Sequence, residues 1–258
     1  MNIPVYLERI AYRGGLAPDL ATLQALQLAH LRSVPFENLS IHAGQSIELE
    51  PAVLYRKIVE QGRGGFCYEL NGLFALLLEA LGFKLSRLSA QVSGSGGSFG
   101  PDFDHLCLLV HLERDYLVDV GFGDSFQQPL CLEPATDQLQ GERSYRLSPQ
   151  AEGGYILSAR PLNVRPDLVP GEATPQYRFA LTPHDLAAFE PMCRYHQSSA
   201  DSHFTQKRIC SLATPEGRVS LSDLRLIESR QGGARTETLL ASEAEHAAAL
   251  QQYFGLML

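Results

Sequence analysis

The stretch from residue 63 to residue 74 constrains the fold most, because it joins a Gly-Gly turn, a cysteine and an apolar run of helical period. Gly64 and Gly65 lie just before Cys67. The apolar positions that follow are Leu70, Leu73, Phe74, Leu77, Leu78 and Leu81. Their spacing predicts a helix that begins at or near Cys67. Unpaired N–H groups and the dipole at a helix N-terminus favour the thiolate, which is the nucleophilic form of cysteine.

The period of the apolar residues changes along the chain. Helical spacing predicts helices over residues 19–32, 51–61 and 67–82. Alternation between turn residues predicts strands over residues 85–92, 105–112, 116–120, 144–147, 154–159 and 177–181. The last part is predicted to hold a helix from residue 183 capped by Thr182, strands over residues 202–212 and 218–227, and a helix over residues 243–254. The middle third is therefore expected to form a compact antiparallel sheet or barrel.

The composition is typical of a globular protein that needs no metal or disulfide to hold its core. Of the 258 residues, 45% are hydrophobic and 19% are charged. A formal net charge of −8 argues against general affinity for nucleic acid or an anionic membrane. The five cysteines are odd in number and lack CxxC spacing, which disfavours a disulfide scaffold and a zinc site. With no apolar span and no signal peptide, we expect a cytoplasmic protein without metal.

Two further polar residues supply the raw material of a nucleophilic triad. His105 opens a predicted strand, and Asp119 interrupts the apolar segment 117–120. A carboxylate there is costly unless it is paired, and a histidine held by it would satisfy the requirement. A hydrogen-bonded core histidine is the alternative interpretation of His105. If residues 113–115 form a tight hairpin, counting places His105 opposite residue 123 and on the order of 13 Å from Asp119.

Four motifs resemble those of the arylamine N-acetyltransferase family. They are Pro-Phe-Glu-Asn-Leu at residues 35–39, Arg-Gly-Gly-Phe-Cys-Tyr-Glu-Leu-Asn-Gly at 63–72, His-Leu at 105–106 with Val-Asp-Val-Gly-Phe-Gly at 118–123, and Ser-His-Phe at 202–204 with Pro-Glu-Gly-Arg at 215–218. The motifs occur in the family's order and span most of the chain. The cysteine motif is the most specific of them.

The resemblance implies a three-part α+β fold with a cysteine-protease-like or transglutaminase-like core. The parts are an N-terminal helical bundle over residues 1–84 that carries Cys67, a middle antiparallel β-barrel over residues 85–182 that carries His105 and Asp119, and a C-terminal α/β lid over residues 183–258. The resemblance also implies that Cys67, His105 and Asp119 meet as a catalytic triad, whatever the hairpin count suggests.

The implied reaction is ping-pong acetyl transfer. Acetyl-CoA is the co-substrate, and a small-molecule arylamine, arylhydrazine or N-hydroxyarylamine accepts the acetyl group from acetyl-Cys67. His105 would act as the base, Asp119 would hold its ring, and backbone N–H groups at the helix start would donate to the oxyanion.

Phe36, Phe103 and Phe122 flank the motifs and are candidates for an apolar pocket that receives an uncharged aromatic amine. A place in the core explains each of these phenylalanines equally well. Ser202 and His203 are matched to CoA contacts through the resemblance, with an ordinary turn at a strand start as the alternative.

Glu37 and Arg63 lie in the first two motifs. We expect them to form a buried ion pair that fixes the loop before the cysteine.

Three other functions remain open at the level of sequence. An amide synthase would use the same triad to take an acyl chain from a carrier protein. A cysteine hydrolase of the papain or transglutaminase type would pass the acyl group to water. A non-enzymatic binding module is disfavoured, because a buried Asp119 with no function would only destabilise the fold. The physiological amine and the oligomeric state are also left open.

Overall fold

The computed structural model describes residues 1–94, 96–134, 136–162 and 173–257 of a mixed α+β chain. Its helices are α1 (Ile3–Arg9), α2 (Leu20–Ser33), α3 (Leu39–His42), α4 (Pro51–Tyr55), α5 (Cys67–Ala80), α6 (Glu190–Ser198), α7 (His203–Gln206) and α8 (Glu243–Phe254). A π-helical segment, Arg56–Glu60, continues α4, and a 3-10 segment, Leu186–Phe189, precedes α6.

The strands fall into two sheets. They are β1 (Phe36–Glu37), β2 (Lys84–Val92), β3 (His105–His111), β4 (Asp115–Val118), β5 (Leu130–Cys131), β6 (Asp137–Gln140), β7 (Arg143–Pro149), β8 (Tyr155–Pro161), β9 (Thr174–Pro183), β10 (Ile209–Thr214), β11 (Gly217–Ser222), β12 (Arg225–Arg230) and β13 (Arg235–Leu239). One sheet has the order β5-β4-β3-β2-β9-β8-β7-β6, and the other has the order β1-β10-β11-β12-β13.

Helices α1, α2 and α4 pack around α5. Asp19 caps α2 by accepting a hydrogen bond from the N–H of Thr22 (2.8 Å), so the helix begins where the sequence predicts it. The helix predicted over residues 51–61 exists, but it changes from α to π geometry at Arg56. Helix α5 is buried along most of its length, which is why apolar residues occupy several of its faces.

His30 is fully buried in this helical part without a hydrogen-bond partner among the described residues. Its ring lies 6.1 Å from that of Tyr6 and 5.1 Å from that of Phe74. Burial, with the nearby charge of Arg9, lowers the pKa of His30 from 6.5 to about 3. Below pH 6.5 the unfolded chain therefore binds a proton at His30 that the folded chain does not bind.

His30→Leu is therefore expected to make the free energy of unfolding less sensitive to acid. Relative to wild type, the variant should gain about 2–3 kcal/mol between pH 6.5 and pH 4.5, since each pH unit inside the window contributes about 1.4 kcal/mol. Urea unfolding at the two pH values measures this difference. His203→Gln, at an exposed position of α7, is the control and should not change the pH dependence of unfolding. Parallel pH dependence in wild type and His30→Leu would contradict the prediction.

The first sheet confirms the predicted antiparallel barrel. Its edge strands β5 and β6 are bridged by glutamine side chains. The amide of Gln138 accepts from the N–H of Cys131 (2.8 Å) and donates to its carbonyl (2.9 Å). Gln140 contacts the N–H (2.9 Å) and carbonyl (2.8 Å) of Gln128 in the same way. The eight-stranded sheet is thus nearly closed.

Strand β3 lies between the helices and the barrel interior. Leu106, Leu108 and Val110 pack with α5, whereas Cys107 and Leu109 belong to the core of the barrel. Side chains alternate along a strand, so a strand covered on both sides is apolar throughout. This explains why the sequence of β3 shows no polar alternation.

The hairpin of β3 and β4 brings His105 and Asp119 together. Leu108 lies opposite Val118 in the observed register. Continuing that register places His105 opposite residue 121, so Asp119 is its diagonal neighbour on the same face. The expected separation on the order of 13 Å is therefore wrong. Residue counting placed the centre of the hairpin turn one residue too far along the chain. That error shifts the residue opposite His105 by two positions, from 121 to 123.

The second sheet contains strands from both ends of the chain. Its edge strand β1 pairs Phe36 with Ser211 and Glu37 with Cys210, although no strand is predicted before residue 85. Two residues are too few to show a period. The strand predicted over residues 202–212 is wrong in its first half, because α7 occupies His203–Gln206 and β10 begins at Ile209.

The helix predicted after Thr182 begins later than expected. Strand β9 runs to Pro183, so Thr182 lies in a strand and is not a helix cap. The proposed domain boundaries stay predictions, and β1 shows that the first and last parts share a sheet. Within the described ranges, no helix has the length and apolar character needed to span a bilayer.

Candidate active site

Cys67 is the first residue of α5, as the sequence predicts, and the loop before it packs against the first motif. The carbonyl of Gly65 accepts from the N–H of Glu37 (2.8 Å), and the N–H of Gly65 donates to the carbonyl of Pro35 (3.3 Å). A Cβ on Gly64 would lie 2.0 Å from the same Pro35 oxygen. Glycine is therefore required where the two backbones meet.

The first turn of α5 is fixed by a buried carboxylate. Glu69 accepts from the N–H of Phe66 (3.1 Å) and contacts the Nζ of Lys57 (2.6 Å). Burial raises the pKa of Glu69, and the charge of Lys57 opposes that rise. These contacts fix the first turn of α5 and therefore the position of Cys67 in it.

The predicted ion pair between Glu37 and Arg63 is confirmed. Oε1 of Glu37 accepts from Nε (3.1 Å) and Nη2 (2.8 Å) of Arg63, and Oε2 accepts from the N–H of Leu39 (2.7 Å). The side chain of Glu37 is 0% exposed and that of Arg63 is 12% exposed. The pair joins the first motif to the loop that leads to Cys67.

Arg63→Gln is expected to destabilise the protein by about 3–5 kcal/mol, because it leaves the carboxylate of Glu37 buried without a cation. Denaturant unfolding measures the loss. Arg194→Gln is the matched control, since the side chains of the Arg194–Glu190 pair are 65% and 50% exposed. An exposed pair contributes about 0–1 kcal/mol. Similar losses in the two variants would show that burial of the Glu37 pair does not matter.

His105 and Asp119 form a buried pair in which Nε2 lies 2.7 Å from Oδ2. Asp119 also accepts from the Nδ2 of Asn71 (2.8 Å), the N–H of Gly121 (2.8 Å) and the hydroxyl of Tyr177 (3.0 Å). Burial alone would raise the pKa of Asp119, but the charge of His105 and the hydrogen bonds hold it below its usual range. The ionised carboxylate keeps a proton on Nε2 and leaves Nδ1 of His105 to act as an acceptor.

Two members of this cluster are not predicted from the sequence. Asn71 donates to the carbonyl of Leu106 (2.7 Å) and accepts from the N–H of Val120 (2.9 Å). A signal for Asn71 exists, because a polar residue four positions after Cys67 shares its face of an apolar helix. Tyr177 gives no such signal, since its place beside Asp119 depends on the distant strand β9.

Cys67 lies against the segments that carry His105 and Asp119. A Cβ on Gly121 would lie 2.8 Å from the Cα of Cys67 and 3.0 Å from its carbonyl oxygen. Glycine at this position therefore allows the loop after Asp119 to reach the start of α5. All three residues of the predicted triad are buried, and the loop after Asp119 lies against the backbone of Cys67. Their action as a catalytic triad stays a prediction.

The electrostatic environment of Cys67 differs from the sequence expectation. Burial raises the pKa of the Cys67 thiol well above its usual range, and the charge of Asp119 adds to the effect. A hydrogen bond from the backbone of Leu106 acts in the opposite direction. The helix start alone does not make a stable thiolate here. A thiolate at Cys67 needs a base to take the proton, and Nδ1 of His105 is the ring nitrogen that Asp119 leaves free.

Phe122 lies directly beside the buried pair. Its ring centroid is 5.2 Å from that of His105 and 5.0 Å from that of Tyr177. Phe36 is half-buried, and its ring lies 6.2 Å from that of Phe204. The roles of Phe36 and Phe122 in substrate binding stay predictions.

Phe103 occupies the segment just before His105. Its ring lies 4.8 Å from that of His184 and 5.1 Å from that of Phe189. Its φ of 64° lies in the left-handed region, which is uncommon for a residue with a bulky side chain. The N–H of Phe103 donates to the Oγ of Ser89 (2.8 Å), which helps to hold this conformation. Its role in a substrate pocket also stays a prediction.

Ser202 and His203 lie at the start of α7. The hydroxyl of Ser202 is buried, accepts from the N–H of Phe204 (3.3 Å) and contacts the Nδ1 of His196 (3.0 Å). His203 is exposed. Their predicted contact with CoA stays a prediction, and for Ser202 the observed hydrogen bonds already provide a structural role.

A cleft of about 430 Å³ opens between the barrel and the second sheet, beside the loop that follows Phe122. Four arginines line it: Arg32, Arg143, Arg218 and Arg230. Asp124 contacts Nη2 of Arg143 (2.7 Å) and Nε of Arg218 (3.1 Å). Among the described lining residues, arginines outnumber the carboxylates of Asp124 and Glu142. Arginine is suited to bind phosphate groups. The sequence conceals this cleft, because its arginines come from α2, β7, β11 and β12.

Comparison with known proteins decides the family. A family model described as N-acetyltransferase matches residues 19–258. Pineal gland isozyme NAT-3, an arylamine N-acetyltransferase of Gallus gallus, is 37% identical over 241 residues, covering 88% of this chain and 83% of that protein. This chain belongs to the arylamine N-acetyltransferase family. Arylamine N-acetyltransferase 1 of Homo sapiens is 36% identical over 234 residues, covering 84% of this chain and 79% of its own length.

Solved structures of the family share the fold. The arylamine N-acetyltransferase of Mycobacterium marinum has a TM-score of 0.88 at 30% identity, over 98% of this chain and 92% of its own. A Mycobacterium smegmatis structure has a TM-score of 0.89 at 34% identity, over 99% and 92%. These similarities confirm the predicted α+β class with a cysteine-protease-like core. One Mycobacterium marinum structure of similar score, 0.88, is a complex with CoA.

Proposed function

We propose that this protein transfers an acetyl group from acetyl-CoA to the nitrogen of an arylamine, arylhydrazine or N-hydroxyarylamine. The reaction is ping-pong and passes through an acetyl-Cys67 intermediate. The observation that carries the proposal is the position of Cys67, at the start of α5 beside a buried His105–Asp119 pair, in a chain of this family. The complex of the Mycobacterium marinum relative with CoA supports CoA as the carrier.

In the first half-reaction, Nδ1 of His105 takes the thiol proton and the sulfur of Cys67 attacks the thioester carbonyl of acetyl-CoA. Asp119 stabilises the imidazolium that forms. Backbone N–H groups at the start of α5 donate hydrogen bonds to the developing oxyanion. The carbon–sulfur bond to CoA breaks, and His105 returns the proton to the departing CoA thiol. Acetyl-Cys67 and free CoA are the products.

In the second half-reaction, the amine nitrogen attacks the carbonyl of acetyl-Cys67. His105 takes a proton from the nitrogen and delivers it to the sulfur of Cys67 as the carbon–sulfur bond breaks. An aromatic amine is a weak base, so it arrives uncharged near neutral pH and can enter an apolar site. Phe122, whose ring borders His105, is placed to contact the aromatic ring of the acceptor.

The arginine-lined cleft is the proposed site for the phosphates of CoA. Arg143 and Arg218 line this cleft, and both contact Asp124. The cleft adjoins the loop after Phe122, so a chain bound there could extend its thiol end toward Cys67. Fork-shaped guanidinium groups bind phosphate oxygens in pairs.

Initial rates with acetyl-CoA and an arylamine test the proposal. Double-reciprocal plots at several fixed amine concentrations should give parallel lines, because CoA leaves before the amine binds. Intersecting lines would contradict the ping-pong order. Acetyl-CoA hydrolysis without acetylated amine would favour the cysteine hydrolase. No use of acetyl-CoA would favour another acyl donor, as an amide synthase requires.

Phe122→Ala is expected to change acceptor preference more than donor use. The ratio of kcat/KM between two arylamines that differ by one ring substituent should shift by about 10-fold, whereas acetyl-CoA hydrolysis should stay within about 3-fold of wild type. Phe99→Ala is the control, because this half-buried phenylalanine packs under the guanidinium of Arg178 instead of beside His105. Equal effects of Phe122→Ala on both reactions would indicate a packing role only.

A further inference from the structure

A second histidine–aspartate pair, in which the histidine is buried and the aspartate is half-buried, lies next to the proposed catalytic residues. Nε2 of His196, in α6, is 3.0 Å from Oδ1 of Asp104, and its Nδ1 is 3.0 Å from the hydroxyl of Ser202. His196 is 7% exposed and Ser202 is 2% exposed. Asp104 immediately precedes His105. The network therefore connects α6 and α7 to the start of β3.

Each side chain of this network has a hydrogen-bond partner at both of its polar positions. The N–H of Phe204 donates to the Oγ of Ser202 (3.3 Å), and the same oxygen lies 3.0 Å from Nδ1 of His196. Nε2–H of His196 donates to Asp104, whose other carboxylate oxygen accepts from the N–H of Val92 (3.3 Å). A fully satisfied buried polar network is rigid and fixes the positions of the segments that it joins.

Tyr68 provides a second link to the same segment. Its hydroxyl donates to the carbonyls of Phe103 (2.7 Å) and Asp104 (3.1 Å). Tyr68 immediately follows Cys67, just as Asp104 immediately precedes His105. The ring of Tyr68 also packs against that of His196 at 6.1 Å. The neighbours of Cys67 and His105 are thus held to each other and to α6.

We propose that His196 is a positioning residue for the acetyl transfer. By holding Asp104, it fixes the start of β3 so that His105 faces Cys67 in the geometry that proton transfer requires. This inference rests on the proposed function. A displacement of about 1 Å in such a pair can cost a factor on the order of 100 in rate.

The arrangement is not a second nucleophilic site, although it contains serine, histidine and aspartate. The hydroxyl of Ser202 is buried and already accepts the N–H that begins α7. A serine that caps a helix and has no access to solvent cannot attack a substrate. Its hydrogen bond to His196 instead ties α7 into the network.

Two properties of Cys67 and His105 can be measured to test the proposal. His196→Phe keeps an aromatic ring against Tyr68 but removes both hydrogen bonds, whereas His196→Gln keeps a donor for Asp104. We expect kcat for acetylation to fall about 100-fold in His196→Phe and to recover to within about 5-fold of wild type in His196→Gln. The rate at which iodoacetamide alkylates Cys67 should likewise fall in His196→Phe and recover in His196→Gln. KM for acetyl-CoA should stay within about 2-fold. Tyr195→Phe, at an exposed position of the same helix, is the control.

A double-mutant cycle separates positioning from general destabilisation. Asp104→Ala should lose as much activity as His196→Phe, and the double variant should be no worse than either, because each variant removes the hydrogen bond between His196 and Asp104. Additive losses, or wild-type kcat in His196→Phe, would overturn the proposal. If His196→Phe does not fold, the losses in Asp104→Ala and the recovery in His196→Gln decide the question.

Alkylation needs no acetyl-CoA, so it distinguishes this inference from the proposed function. Slow alkylation in His105→Gln but not in the His196 and Asp104 variants would reject only the positioning role. Failure of wild-type protein to use acetyl-CoA would reject the proposed function itself.

Discussion

Cys67→Ser is expected to abolish acetyl transfer, lowering kcat/KM by at least about 10⁴-fold. A serine hydroxyl is far less acidic than a thiol, so His105 cannot take its proton as readily. The smaller oxygen fits the buried position, and the fold should therefore survive. Steady-state rates with acetyl-CoA and an arylamine measure the loss, and the melting temperature checks the fold.

Cys131→Ser is the matched control for this experiment. Cys131 lies in β5, and its side chain is half-buried, away from the His105–Asp119 pair. We expect the control to keep wild-type activity. Full activity in Cys67→Ser, or an equal loss in Cys131→Ser, would contradict the assignment of the nucleophile.

Asp119→Asn should lower kcat by about 10³- to 10⁴-fold. The amide has the size of the carboxylate, but it neither stabilises an imidazolium nor requires the proton of His105 to stay on Nε2. In the variant, Nδ1 carries the proton in part of the molecules and cannot accept one from Cys67. The rates of both half-reactions measure the effect, since His105 moves a proton in each.

Asp115→Asn is the control, because Asp115 also lies 2.7 Å from a histidine, His111, in the same hairpin. The side chains of that pair are 38% and 44% exposed. An exposed pair contributes little, so we expect kcat within about 2-fold of wild type. Equal losses in the two variants would show that the burial and hydrogen bonds of Asp119 have no special role.

The place of Cys67 could be predicted from the sequence because its signals are local. The Gly-Gly turn and the start of the apolar period both lie within a few residues of Cys67. The same locality explains the correct prediction of β7, β8 and α8. The raised pKa of the Cys67 thiol could not be predicted, because it depends on burial by distant parts of the chain.

The contact between His105 and Asp119 shows how sensitive a hairpin is to its turn. A shift of the turn centre by one residue changes the opposite residue by two, from 123 to 121 in this hairpin. The shift changes neither the composition of this segment nor its hydrophobic pattern, so neither could indicate it. Family resemblance supplied the contact, whereas residue counting placed Asp119 out of reach.

The contacts that hold the site together were not predictable, because each joins separate segments. For Asn71, the sequence indicates only that it shares a helix face with Cys67. Asn71, Tyr177 and His196 contact Asp119, Leu106 or Asp104 only in the folded chain, where β3 lies between α5 and the interior of the barrel. The arginine-lined cleft was not predictable for the same reason, because its arginines come from separate segments. Single-sequence patterns report periodicity along one segment and contain no information about such tertiary contacts.

The most direct test of the account is to incubate the protein with acetyl-CoA alone and to locate the acetyl group by intact and peptide mass spectrometry. The account predicts one acetyl group on Cys67, which disappears when an arylamine is added and reappears as the acetylated amine. An acetyl group on another residue, or unmodified protein with acetyl-CoA unconsumed, would contradict it.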